Sequence, residues 1–159
     1  MKIKIGQGID FHRLEIGIPL WLGGVLIPSD KGCVAHSDGD VLIHATCDAL
    51  LGAAGLRDIG FYFPDTSNEY KNIDSKILLA NTHKLLKDKG FDIENIDCTV
   101  CLEKPKISPY ILEMIETIAS ILSIECENIA IKATTTEKLG FIGREEGVAA
   151  FATALILKR

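Results

Sequence analysis

Val148-Ala-Ala-Phe-Ala-Thr-Ala-Leu-Ile-Leu157 carries one polar side chain, Thr153, in its whole length. A strand that alternates apolar and polar residues has one wet face, whereas a strand apolar at consecutive positions is covered on both. This segment therefore predicts a central strand, with helices of its own chain over one face. In a chain of 159 residues the second cover is predicted to be another copy, so a homo-oligomer is expected. The stretches before it supply the neighbours. Residues 2–12 alternate and read as a first strand, and residues 18–28 as a second, with Gly23-Gly24 marking a bulge or sharp bend. A polar loop at 29–39 leads into a helix from about Asp40 to Ala54, capped by Asp38 or Asp40 and stopped by Gly55. Residues 57–73 read as irregular. A helix opened by Asp74-Ser75 runs to Gly90, residues 91–103 form a strand, and Pro109 starts a helix ending near Leu122. Strands at 128–136 and 146–158 complete the order β-β-α-α-β-α-β-β. The expectation is an α+β fold, a two-layer sandwich of a mixed β-sheet with helices on one face.

Composition narrows the function classes. The chain carries 17 Lys and Arg against 22 Asp and Glu, a formal charge of -5, which argues against a general nucleic-acid partner. No apolar run approaches the roughly 18 residues of a membrane span. The opening Met-Lys-Ile-Lys-Ile enters a strand at once, so no signal peptide is expected and the localisation reads as cytoplasmic. Cys33, Cys47, Cys98, Cys101 and Cys126 read as buried free thiols. Cys98 and Cys101 lie three apart on a strand and face opposite ways, with no second pair to complete a zinc site.

Three clusters carry chemistry. Asp10 and His12 alternate on a strand and share a face, so a carboxylate and an imidazole converge, as a transition metal requires; an ordinary surface Asp–His pair has the same sequence. His44 lies early in the first helix and offers a third ligand, with Asp48 one turn on to accept its other N–H; a satisfied core histidine is the alternative. Three ligands and an open position are the catalytic rather than the structural zinc pattern. His36, in the loop before that helix, sits where backbone N–H groups favour an anion. His83 reads as a solvated helix residue. The third cluster runs from Thr134 to Arg144. Its hydroxyls, N–H groups and guanidinium suit phosphate oxygens, and Glu137 suits a hard cation between phosphates; a strand end and an ordinary turn would look alike. Lys104-Pro105-Lys106, between a strand and a helix, suits the edge of a nucleotide pocket or a solvated turn. No Walker loop and no G-x-G-x-x-G is present.

Together and in order, D-F-H at 10–12, A-H-S-D-G-D-V-L-I-H-A at 35–45, D-I-G at 58–60, F-P-D-T at 63–66, K-P-K at 104–106 and T-T-T-E-K-L-G-F-I-G-R at 134–144 resemble the 2-C-methyl-D-erythritol 2,4-cyclodiphosphate synthase family. The resemblance runs from Ile5 to the end of the chain and implies one such domain over 1–159. It implies a lyase of the non-mevalonate isoprenoid pathway. Such an enzyme cyclises 4-diphosphocytidyl-2-C-methyl-D-erythritol 2-phosphate and releases CMP. It also implies a homotrimer with active sites between subunits. By the match, Asp10, His12 and His44 hold Zn2+, and Glu137 holds a Mg2+ or Mn2+ bridging the diphosphate. His36 and Thr135 match the transition-state positions, with Ser37 beside them. Asp58, Ile59 and Gly60, with Phe63, Pro64, Asp65, Thr66 and Ser67, match the positions that hold the methylerythritol part. Leu102, Glu103, Lys104, Pro105, Lys106, Ile107 and Ser108, with Thr134, Thr135 and Thr136, match the cytidine pocket. Phe141 and Arg144 match further phosphate-side contacts. Phe151 stands on the last strand where some relatives carry a polar residue. Two rival classes share these features: another metal-dependent phosphate-ester hydrolase, and a non-catalytic trimeric nucleotide-binding module.

Overall fold

The computed structural model describes residues 2–159. Five strands form one mixed sheet in the order β4-β1-β7-β5-β6: β1 (Lys2–Ile16), β4 (Lys31–Val34), β5 (Phe91–Cys101), β6 (Ile129–Thr134) and β7 (Gly147–Lys158). Only β5 and β6 run parallel; the remaining pairings are antiparallel. The helices α1 (Val41–Ala54), α3 (Ser75–Asp88) and α4 (Ile111–Leu122) bury an apolar core against the sheet, giving the expected α+β arrangement.

The inner face of β1 explains where the site lies. Its alternate positions read Gly6, Gly8, Asp10, His12. A Cβ at Gly6 would collide with the Ala49 carbonyl, and one at Gly8 with the Ala45 carbonyl, so α1 rests directly on the β1 backbone. Past the N-terminal end of α1 the same face carries Asp10 and His12. That end is fixed by Asp40, whose side chain accepts from Ile43 N at 3.0 Å; Gly55 closes the other end at φ 74°.

Several boundaries depart from the sequence reading. β1 continues to Ile16 rather than stopping at residue 12, because β4, expected as loop, pairs with its far end. Residues 18–28 form a separate hairpin of β2 (Leu20–Leu22) and β3 (Val25–Ile27) rather than one strand, with Gly23-Gly24 as the sharp bend and not a bulge. Its Gly23-Gly24 turn has both φ positive, and both amides donate to the Asp40 carboxylate, at 2.9 and 2.7 Å. Residues 57–73 contain a short helix α2 (Ile59–Tyr62) and a 3-10 turn at Asn68–Tyr70, and a last single turn, α5 (Gly140–Gly143), precedes β7. Cys33, Cys47 and Cys98 are buried, and burial pushes their thiols up to about 12, 12 and 11. Cys101 is only half-buried and Cys126 is exposed, against the expectation of burial throughout.

β7 itself alternates. Val148, Ala150, Ala152, Ala154 and Ile156 are buried, while Phe151, Leu155 and Leu157 on the other face remain half-exposed. Across from them β1 places Ile9 opposite Phe151, Ile5 opposite Leu155 and Ile3 opposite Leu157. Ile3 and Ile5 are 66% and 69% exposed, so the described residues cover only one face of the sheet. No helix is long and apolar enough to cross a membrane among the described residues.

Candidate active site

Asp10, His12 and His44 converge at the N-terminal end of α1. Asp10 Oδ2 lies 3.0 Å from His12 Nε2 and 3.1 Å from His44 Nδ1, and the two nitrogens are 3.1 Å apart. Ligands at zinc-like bond lengths on three corners of a tetrahedron would be about 3.3 Å apart, so the triangle needs only slight opening to hold an ion. The donor set, two imidazole nitrogens and one carboxylate oxygen, suits a divalent transition metal. Burial raises the Asp10 pKa, but hydrogen bonds and positive charge from His12 and His44 outweigh it and hold the carboxyl at about 2. Burial alone would lower the His44 pKa; the bond and charge of Asp10, with Asp40 and Asp38 behind, raise it instead. Such a carboxylate stays ionised and keeps its lone pairs for a cation.

The far nitrogen of His44 corrects one expectation. Asp48 does not accept its N–H; Asp48 Oδ1 accepts from Ile59 N at 2.8 Å and so anchors α2. His44 Nε2 instead faces Ser75 Oγ at 2.9 Å and Ser37 Oγ at 3.2 Å. Ser75 is absent from the sequence reading of the site, where a serine at a helix start passes for an end signal.

The triangle opens onto a cavity of about 410 Å³. His36 and Ser37 line it from the loop before α1, and Ile59, Gly60, Phe63 and Asp65 from the segment after it. Tyr70 and Ile73, which nothing in an irregular stretch marks, complete the wall with Leu78, whose helical spacing reads as core rather than as site. The loop is strapped to that segment: His36 Nε2 contacts Ser67 O at 3.2 Å, and Asn72 N donates to His36 O at 2.7 Å. Ser67 N donates to Pro64 O at 3.1 Å, closing the turn that holds Thr66. Asp58 lies outside the lining, exposed, and caps α2 by accepting from Phe61 N. His83 is half-buried rather than solvated, its pKa lowered by burial and then by Lys87.

A second cavity, of about 330 Å³, lies beyond the C-terminal ends of the parallel strands β5 and β6, where open sheets commonly receive ligands. Leu102, Glu103, Pro105, Lys106, Ile107 and Ser108 form one side, and Ala133, Thr134 and Thr135 the other. Leu102 N donates to Thr134 O at 2.9 Å and ties the two sides together. Lys104 turns away to pair with Glu145 at 3.2 Å. Glu137 is exposed, in a turn with φ 51°, and its amide donates to Thr135 Oγ1 at 3.2 Å; Thr136 Oγ1 donates to Leu139 O at 2.7 Å. Phe141 packs 6.2 Å from Phe11 on the open sheet face, and Arg144 forks onto Glu146 at 2.8 and 3.2 Å. The two cavities share no lining residue, and Lys104, Glu137, Phe141 and Arg144 line neither.

A model of the YgbB family matches residues 3–157. The chain is 58% identical over 156 residues to a 2-C-methyl-D-erythritol 2,4-cyclodiphosphate synthase of Bacteroides fragilis, covering 98% of each. Among solved structures it is similar to the bifunctional IspDF of Campylobacter jejuni, at 44% identity and a TM-score of 0.94, covering 98% of this chain and 42% of that one. It is also similar to the IspF–CDP complex of Plasmodium falciparum, at 37% identity and a TM-score of 0.87, covering 99% of this chain and 97% of that one.

Proposed function

The chain belongs to the YgbB family, and from that premise we infer that it catalyses the reaction for which its relatives are named, forming 2-C-methyl-D-erythritol 2,4-cyclodiphosphate as a phosphorus–oxygen lyase of isoprenoid biosynthesis. Its substrate is 4-diphosphocytidyl-2-C-methyl-D-erythritol 2-phosphate. An oxygen of the 2-phosphate attacks the β-phosphorus. The bond from that phosphorus to the bridging oxygen breaks, and CMP leaves with the electron pair. The nucleophile belongs to the substrate, so the protein has to fold a flexible polyanion until two repelling phosphates meet.

The observation that carries this reading is the Asp10–His12–His44 triangle opening onto a cavity that also exposes His36, Ser37 and Asp65. Asp10, His12 and His44 would hold a divalent ion, which would supply neutralisation of phosphate charge and polarisation of the attacked phosphorus. The two-nitrogen, one-oxygen donor set favours Zn2+. Glu137, a hard carboxylate on an exposed turn, would hold a Mg2+ or Mn2+ that offsets phosphate charge. His36 and Thr135 donate to the phosphoryl oxygens as charge shifts towards the leaving group. Asp65, with Asp58 to Gly60 and Phe63 to Ser67, holds the methylerythritol hydroxyls, while Leu102 to Ser108 and Thr134 to Thr136 hold the cytidine. Phe141 and Arg144 make further phosphate-side contacts.

The two separate cavities and the open apolar sheet face support a homotrimer in which the metal cavity of one subunit meets the cytidine cavity of the next. One continuous core supports a single domain over 1–159. A cytoplasmic location for this small-molecule enzyme is part of the same reading, supported by relatives named as enzymes of small-molecule metabolism.

Phosphorus NMR of the purified protein with this substrate tests the reading. Equal amounts of cyclic diphosphate and CMP are expected. Release of inorganic phosphate would point to a hydrolase instead, and binding of CDP without turnover to a nucleotide module.

A further inference from the structure

We propose that Ser75, oriented by Asp38, is a positioning residue for the metal ligand His44. The proposal rests on the reading that Asp10, His12 and His44 hold a divalent ion. His44 presents Nδ1 to that triangle, 3.1 Å from both Asp10 Oδ2 and His12 Nε2. A nitrogen that binds a metal gives up its lone pair, so the ring proton sits on Nε2. His44 is 6% exposed, and this N–H needs an acceptor inside the protein. The fully buried Ser75 Oγ lies nearest, at 2.9 Å, while the half-buried Ser37 Oγ lies at 3.2 Å.

A hydroxyl that accepts from an imidazole must send its own proton elsewhere. Ser75 Oγ donates to Asp38 Oδ1. Asp38 is itself pinned, accepting from Asp40 N at 3.1 Å through Oδ1 and from Ser75 N at 2.9 Å through Oδ2. The chain runs carboxylate, hydroxyl, imidazole, metal, with every proton assigned. It performs the task usually given to a carboxylate bonded directly to the histidine. The nearest such carboxylate on α1, Asp48, is committed to Ile59 N.

Ser75 stands at the start of α3, where a capping role is the ordinary explanation. Here the cap is Asp74, whose side chain accepts from Lys76 N at 2.9 Å. The Ser75 hydroxyl bonds no backbone N–H of α3; both of its partners, His44 and Asp38, lie outside that helix. Its position registers α3 and the loop before α1 on the ligand.

The test is metal affinity, read without turnover. Zn2+ binding is measured by competition with a chromogenic chelator in the wild type, Ser75→Ala and Asp74→Ala. Long-range proton–nitrogen NMR of His44 reports which ring nitrogen carries the proton. Ser75→Ala is expected to bind about 10- to 100-fold more weakly at unchanged stoichiometry. The Nε2–H of its zinc-bound His44 is also expected to resonate upfield and to exchange faster with water, because its nearest acceptor is gone. Asp74→Ala melts at lower temperature yet keeps its affinity within about twofold, because it loosens the same helix end without touching His44. Equal affinity of wild type and Ser75→Ala overturns the proposal, as does equal weakening in both variants. If the wild type binds no zinc, the metal reading itself falls, an outcome distinct from either.

Discussion

The cavity beneath Asp10, His12 and His44 is built on a strand and a helix pressed into backbone contact, with ligand atoms 3.0–3.1 Å apart. The hollow between residues 102–108 and Thr134–Thr135 is built on loops, and Lys106, Ser108, Thr134 and Thr135 in its wall are exposed. The difference matches what each is proposed to hold. Metal ligands must meet a point to within a few tenths of an ångström, which only packed elements guarantee. A nucleotide is a large ligand with many contact points, for which loops suffice.

Losing a ligand from the rigid region should have the largest effect. His44→Ala is expected to lower kcat by about 1,000-fold or more, since the metal supplies several kcal/mol of charge stabilisation. The matching measurement is zinc content by elemental analysis, which should fall with the rate; full cyclisation at wild-type rate would remove the metal from the account. Gly8→Ala comes next and acts on the support rather than the ligands. Its methyl meets the Ala45 carbonyl, so denaturant unfolding should show a loss of about 3 kcal/mol. A neutral result would mean that α1 is not held against β1 as described.

A third effect separates the ligand triangle from the loops by pH. In the metal-free protein the Asp10 pKa falls from 3.8 unfolded to about 2 folded. The depressed value means that Asp10 contributes stability above the unfolded value and loses it as pH falls from about 4 to about 2. The shift corresponds to about 2 kcal/mol. Metal-free Asp10→Asn should lack this part of the acid destabilisation, measured as the difference between the two unfolding curves. The smallest effect belongs to the loop cavity. Lys106→Ala should raise KM about tenfold with kcat little changed, the signature of an interaction made equally in ground and transition states. A fall in kcat of the same size would place Lys106 nearer the reacting phosphates than its loop suggests.

Much of the rigid region is legible in the sequence because its rules are local. Asp10 and His12 share a face by strand alternation, Asp40 and Gly55 bound α1 by capping chemistry, and His44 falls in its first turns. What was missed depends on distant partners. The sharp bend at Gly23-Gly24 is marked in the sequence, but that it splits 18–28 into a hairpin is not, because its amides reach Asp40, 17 and 16 residues on. Lys31–Val34 forms a strand only because β1 offers it an edge. Asp48 shares a helix face with His44, yet a closer donor claims it from α2. Ser75 meets His44 only through the fold, 31 residues away. The loop region was legible mainly as a resemblance, since Lys-Pro-Lys and a run of threonines have no fixed local geometry, and the chain by itself leaves them apart from the metal.

The central claim is that the metal half and the cytidine half of each site come from different subunits, and mixed assemblies test it most directly. His44→Ala disables the first half and Lys106→Glu the second. Each variant is measured alone, and then the two are unfolded together at equal concentration, refolded with zinc and measured at a substrate level where both single variants are nearly silent. A heterologous interface pairs intact halves by chance in roughly a quarter of the sites, so about that share of wild-type activity should return. If the mixture stays as silent as its components, both halves work within one chain and the shared site is wrong.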